Sequence, residues 1–260
     1  MLSIAKVRAA GDAVKYYEKD DYYTRDGEEK VQGEGQGGTE RGEGAGGGSG
    51  LGGGNTPAAL GAAEGDVRGE WEGRAAGRLG LSGPVDKADF QPVLEGRLPN
   101  GDVLGRIVDG ERKHTPGWDL TFSAPKSVSL LAEVGLDHRL VEAHEKAVTA
   151  AMAWTESNAM GTRESTSVGK VFVRTENLLA ARFTHHTSRN QDPALHSHVV
   201  VANATQDASG QWRSVHSIEL FRSKMAIGQV YRSELAREVL ALGYDIKVDE
   251  IGRASCRERV

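Results

Sequence analysis

Four of the eight histidines fall in one stretch, HHTSRNQDPALHSHVVVANAT, residues 185–205. His196 and His198 are two positions apart at the mouth of an apolar, β-branched run. On a strand, alternate side chains share a face, which sets their Cα atoms ~6.6 Å apart, a workable bite for two imidazoles on one metal ion. His185 ends the preceding strand-like run, and a turn through Asp192-Pro193 would return the chain antiparallel beside it. A third imidazole would then join the pair. Three neutral ligands leave coordination positions open for a substrate oxygen or a water. An HxH pair on a strand is also compatible with histidines that merely sit half-exposed at a strand's start. His186 points away from His185 if both are in a strand. His114, His138, His144 and His216 have no such company and read as surface or ordinary core residues.

The other cluster is KYYEKDDYYTRD. Tyr16, Tyr17, Tyr22 and Tyr23 are four of the six tyrosines. Tyrosine commonly buries its ring and wets its hydroxyl, so either pair can be packing. The chemical alternative is a nucleophile. A phenol with a pKa near ~10 attacks poorly at pH 7 until its proton is taken or the electrophile is polarised. A metal gripping a phosphate would do the second. Asp119, in GWDLTFSAPKS, could do the first.

These side chains need a scaffold, and the sequence alternates strands with helices. MLSIAKV reads as a strand and Gly11 to Lys19 as a short helix. VDKADFQPVLEG reads as a small helix despite Pro92. WDLTFS is a strand, and Pro125 opens a helix over SAPKSVSLLAEV. A long amphipathic helix spans His138 to Met160. VGKVFVRTE, LLAARFTHHTS and HSHVVVANAT read as strands, with DASG turning into QWRSV. Ile218 to Leu242 is helical, and a last strand lies near YDIKV. Successive strands joined by short turns predict an α+β fold: a mainly antiparallel sheet with helices packed on one face.

At 260 residues, 38% hydrophobic and 27% charged, the chain is long enough for one good core. No apolar run approaches the ~20 residues of a membrane span, and no signal-peptide pattern opens the chain, which points to the cytoplasm. The single cysteine excludes an intramolecular disulfide and a cysteine-based zinc site. The net charge of −5 is unevenly spread: Thr162 to Arg237 carries ten Lys/Arg and six Asp/Glu. A basic face near the histidines is therefore compatible with an anionic partner. Thirteen of the twenty-two residues from Gly33 to Gly54 are glycine. Such a stretch cannot bury enough surface to offset its chain entropy, and residues 28–68 read as a disordered insertion. The final EIGRASCRERV, residues 250–260, resembles the conceptual translation of a short-read sequencing adapter. It is expected to be foreign to the domain, which then comprises residues 1–27 and 69–249.

Taken in order, MLSIAKVRAAGDAVKYYEKDDYY, RLGLSGPVDKADF, LEGRLPNG, GWDLTFSAPKSVSL, FTHHTSRNQDPALHSHVVVAN and LGYDI resemble the relaxase domain of MobF-type conjugative relaxase-helicases, members of the HUH endonucleases. The resemblance implies a ferredoxin-like, palm-type antiparallel sheet and one divalent ion on His185, His196 and His198. The ion would be Mg²⁺ or Mn²⁺, with Zn²⁺ or Ni²⁺ as alternatives for an all-histidine set. It implies Asp119 as the acidic residue beside that triad, Tyr16 and Tyr17 as the first nucleophile pair, and Tyr22 and Tyr23 as the second. Arg189 falls on the family's motif arginine and would meet the DNA backbone. Lys126 could also reach phosphate, or be a solvated surface lysine.

The function implied is a site- and strand-specific DNA transesterase. It would cleave single-stranded origin-of-transfer DNA through a 5′-phosphotyrosine during plasmid conjugation. The implied partners are relaxosome proteins and a C-terminal helicase in a longer, monomeric protein of the bacterial cytoplasm that passes to the recipient cell. His186 departs from the family, which usually has an acidic residue there, and the glycine-rich insertion replaces a short connection. The C-terminal part that closes over DNA is missing. Two rivals remain: an HxH metal-dependent phosphodiesterase using water, and an inactive, truncated DNA-binding remnant.

Because residues 33–54 cannot build a core, replacing them with a short linker is expected to leave the melting transition and metal binding unchanged. Loss of cooperative unfolding in that variant would show the stretch to be structural.

Overall fold

The computed structural model describes residues 1–11, 13–14, 69–167, 169–188, 190–248 and 254–257. Tyr16, Tyr17, Tyr22, Tyr23, Arg189 and the glycine-rich stretch lie outside the described residues. In chain order the elements are β1 (Leu2–Val7), β2 (Glu70–Glu72), α1 (Arg74–Arg78), α2 (Lys87–Leu94), β3 (Arg106–Val108), β4 (Glu111–Lys113) and β5 (Gly117–Ser123). Then come α3 (Lys126–Glu133), α4 (Arg139–Ala159), β6 (Gly161–Thr166), β7 (Gly169–Arg174), β8 (Ala180–Thr187) and β9 (Pro193–Ala202). The short strands β10 (Thr205–Gln206) and β11 (Trp212–Arg213), helices α5 (Ser217–Arg222) and α6 (Lys224–Ala241), and strands β12 (Asp245–Val248) and β13 (Ala254–Arg257) complete the order.

Five strands form the central sheet, in the order β1-β5-β9-β8-β2. Every neighbouring pair is antiparallel. Strand β9 lies at its centre, and its VVVA run is buried, as a strand covered on both faces requires. One face carries Leu2, Leu120, Phe122, Leu195, Val199 and Val201 against α3–α6. On α4, Leu140, Ala143, Ala147, Val148, Ala151 and Met152 make a buried stripe at helical spacing. On α6, Ile227, Tyr231, Leu235 and Val239 recur every fourth residue. The alanines of α4 present a low surface on which α6 packs closely.

Among the described residues, the opposite face is covered only in part. Phe183, Val200, Ala181 and Ala202 pack there with Phe90, Val93 and Leu94 of α2 and Ala75 and Ala76 of α1. Ala10, Ala13 and Val14 belong to the same cluster, in a helical turn marked by the Ala13 N–H bonding to the Ala9 carbonyl at 3.2 Å. The long helices thus lie on one face, as expected, while two short ones share the other. Helix α2 tolerates Pro92 because the Asp86 carboxylate accepts from the Ala88 N–H (2.8 Å) and Phe90, Val93 and Leu94 anchor it. Glycine is required at Gly73, where φ is +96° and a Cβ would stand 2.1 Å from the Leu178 carbonyl oxygen.

Two expectations need correction. The helix expected over Ile218 to Leu242 is two helices that meet at Ser223 (φ −80°, ψ −4°). Leu220 and Ile227, seven residues apart, are both buried, so the apolar period runs through the break without marking it. Strand β6 was not anticipated. Its Arg163 to Thr166 are all exposed, and a ribbon wet on both faces has no period-two signal. Residues 254–257 pair with β12, Ile246 opposite Cys256.

Candidate metal centre

The three histidines meet because of the register between two neighbouring strands. His185 on β8 lies directly opposite His196 on β9, and His198 pairs with Thr121 on β5. Opposite and alternate residues share a face, so His185, His196, His198, Asp119 and Thr121 all point to the partly covered face. The ring centroids stand 5.3 Å apart for His185–His196, 5.5 Å for His185–His198 and 5.2 Å for His196–His198. A shift in register follows between His185 and Thr187. His186 turns the other way and meets Glu133 of α3 at 2.8 Å, as its place in the strand predicted.

Each ring has its own surroundings. His185 and His198 are buried and His196 is half-buried. Phe183, directly opposite His198, and Val200 close the inner end of the site with apolar surface. Burial, then the neighbouring His198 and His196, pushes the His185 pKa down to about 3, and burial also lowers that of His196. Both rings are neutral at pH 7, as ligands must be. His196 donates its Nδ1–H to the Ala194 carbonyl at 2.7 Å. His198 donates its Nδ1–H to Asp119 Oδ2 at 2.8 Å. Carbonyl and carboxylate oxygens only accept, so in each ring Nδ1 is the donor and Nε2 is the nitrogen a metal ion would take. A hydrogen bond from the far nitrogen to an oxygen is the usual device for holding a metal-ligating histidine.

The donor set therefore fits a divalent ion. Three imidazoles bound to one ion through nitrogens ~2.1 Å from it, at tetrahedral angles, hold their centroids ~5 Å apart. No three His, Cys, Asp or Glu side chains among the described residues have donors already gathered for an ion. The rings are at the right separation, however, so convergence needs rotation about their own side-chain bonds rather than backbone movement. His185 and His196 are stacked at 22°. Asp119 Oδ1 is buried without a hydrogen-bond partner, which leaves one carboxylate oxygen beside the triad.

Asp119, expected as a proton acceptor or the acidic neighbour of the triad, takes the second place, at His198. Thr121 was not anticipated: its Oγ1 is 3.4 Å from both Asp119 Oδ2 and His198 Nδ1. Period-two alternation from Asp119 would have found it. Lys126 is exposed and donates to the Pro193 carbonyl at 2.8 Å, three residues before His196. Among the remaining histidines, His144 is fully buried and hydrogen-bonded on both ring nitrogens.

An antiparallel sheet thus presents three imidazoles and a carboxylate from adjacent strands on one face. The chain belongs to the TrwC relaxase family, whose model matches residues 10–258. It is 40% identical over 258 residues to the multifunctional conjugation protein TraI of Escherichia coli (strain K12), covering 95% of this chain and 12% of that protein. The chain thus spans a small part of the length of the relatives it matches. Among solved structures it resembles the conjugative relaxase TrwC in complex with oriT DNA. The metal-free form matches with a TM-score of 0.74 and 30% identity, covering 98% of this chain and 75% of that one. The metal-bound form matches with a TM-score of 0.74 and 31% identity over the same shares.

His198→Ala is expected to abolish tight binding of Mn²⁺ or Ni²⁺ in calorimetry of chelator-treated protein. Asp119→Asn, which weakens the grip on Nδ1, is expected to weaken binding 10–100-fold. Undiminished affinity in His198→Ala would remove that residue from the site.

Proposed function

We propose that this chain is the catalytic part of a conjugative DNA relaxase, a metal-dependent transesterase acting on one strand of an origin of transfer. The observation that carries the reading is the His185–His196–His198 cluster with Asp119 behind it, gathered on one sheet face. Family membership and the oriT DNA in the TrwC complexes support DNA as the substrate. A C-terminal helicase and relaxosome partners are proposed on the same footing.

His185, His196 and His198 would hold the ion through nitrogen. Bound there, a divalent ion polarises a phosphate and neutralises the charge that grows on it during in-line displacement. The chain's own groups do the remaining work. Asp119 and the Ala194 carbonyl each accept from the Nδ1 of one imidazole, so Nε2 is the nitrogen that His196 and His198 would turn to the ion. Phe183 and Val200 keep water from the inner end, which strengthens each electrostatic contact. Tyr16 supplies the nucleophile. Its oxygen bonds to phosphorus as its proton is given up, the bond from phosphorus to the 3′ oxygen breaks, and that oxygen takes up a proton so that the departing strand leaves as a 3′-hydroxyl. The phosphodiester's energy is kept in the 5′-phosphotyrosine, so rejoining needs no nucleotide cofactor. Tyr16 and Tyr17, the first pair in the order of the family's motif, are assigned to the first cleavage. The second pair is assigned to a later strand transfer. Arg189 and Lys126 are proposed to meet the DNA backbone.

The test is incubation with an origin oligonucleotide and Mn²⁺, followed by denaturing electrophoresis and peptide mapping. Wild type is expected to form a covalent adduct on Tyr16, and Tyr16→Phe to lose that adduct while binding DNA nearly as well. Nicking without any adduct would identify a water-using hydrolase instead.

A further inference from the structure

On the face of β9 opposite the histidines lies a buried polar chain that the proposed chemistry does not use. Ser197, between His196 and His198 in sequence, is fully buried. Its Oγ is 2.8 Å from His144 Nε2 of α4 and 2.9 Å from Thr184 Oγ1 of β8. His144 Nδ1 is in turn 2.8 Å from the Tyr231 hydroxyl of α6. His144 and Tyr231 are fully buried as well, and the Tyr231 ring packs on Phe122 with centroids 5.3 Å apart.

The placement of this chain carries the argument. Thr184 lies directly opposite Ser197, and the two residues are the sequence neighbours of all three histidines. Side chains alternate along a strand, so a hydroxyl fixed at 197 fixes the backbone torsions between two ligand positions. The hydroxyl bridge to Thr184 holds the neighbouring strand at the same level. A neutral imidazole donates from one nitrogen and accepts at the other, so in either tautomer His144 links Tyr231 to Ser197 without a vacant position. Apolar side chains of like volume would fill a helix–sheet interface without needing partners. A satisfied polar network in such a place specifies one arrangement of the core.

We propose that Ser197, held by His144 and Tyr231, is a positioning residue for the three histidines: the network sets the pleat of β9 and its level against β8, and so aims the imidazoles. The consequence for metal affinity rests on the metal-centre reading above; the aiming itself does not.

The test uses ¹⁵N-labelled protein freed of metal, with long-range ¹H–¹⁵N spectra of the imidazoles read beside calorimetry with Mn²⁺. Wild type is expected to show His196 and His198 each as a single Nδ1–H tautomer. Ser197→Ala is expected to mix tautomers at His196 and to weaken Mn²⁺ binding about tenfold. Ser197→Thr, which restores a hydroxyl, should return both towards wild type. Tyr231→Phe, which removes only the far hydroxyl, should move both the same way by less, and it serves if Ser197→Ala does not fold. Unmixed tautomers in the folded variants overturn the proposal, whatever loss of melting temperature accompanies them. Mixed tautomers in a protein whose wild type binds no Mn²⁺ would support the aiming role and count against the metal centre alone.

Discussion

His185 stands directly across from His196, and that register between β8 and β9 decides whether a site exists. Side chains repeat every two residues along a strand, so a slip of one position would send His185 to the helix face and leave the HxH pair without its third ring. The slip is opposed on both faces at once. On one, Phe183 and Val200 are committed to the core shared with α2. On the other, Val199 and Val201 are committed beneath α4 and α6, and Thr184 is bonded to Ser197. The shift in register begins only after His185, so the irregular part of the hairpin lies outside the three ligand positions.

Placing imidazoles at the edge of an apolar cluster has an electrostatic consequence. Burial disfavours a charged ring at His185 and His196, and the neighbouring imidazoles disfavour it further, so these two keep the neutral form that a cation needs. Asp119 supplies a carboxylate beside the triad and spends one oxygen on His198 Nδ1. The result is an electron-rich set of donors that suits a divalent ion and, under the proposed function, a phosphate beside it.

Much of this was legible in the sequence, and the reason is periodicity. His196 and His198 obey the two-residue repeat of a strand, and the Asp192-Pro193 turn implied the return that brings His185 beside them. The pairs and turns that escaped notice lack such a repeat. Strand β6 exposes both faces of its polar half, and the break at Ser223 falls within an unbroken apolar period. From the sequence alone, His144 reads as an ordinary core or surface residue. The available signal was its position on the buried stripe of α4 between Leu140 and Val148, where a polar side chain needs a partner. Which partner it finds, Ser197 and Tyr231, depends on how α4 and α6 cross the sheet, and no local pattern carries that.

The central claim is that His185, His196 and His198 together hold one divalent ion. Electron spin echo envelope modulation of the Cu²⁺-loaded protein reads the remote nitrogen of each coordinated imidazole. Three coordinated imidazoles are predicted in wild type and two in His185→Gln. A spectrum showing a single imidazole, or one unchanged by loss of His185, would contradict the account.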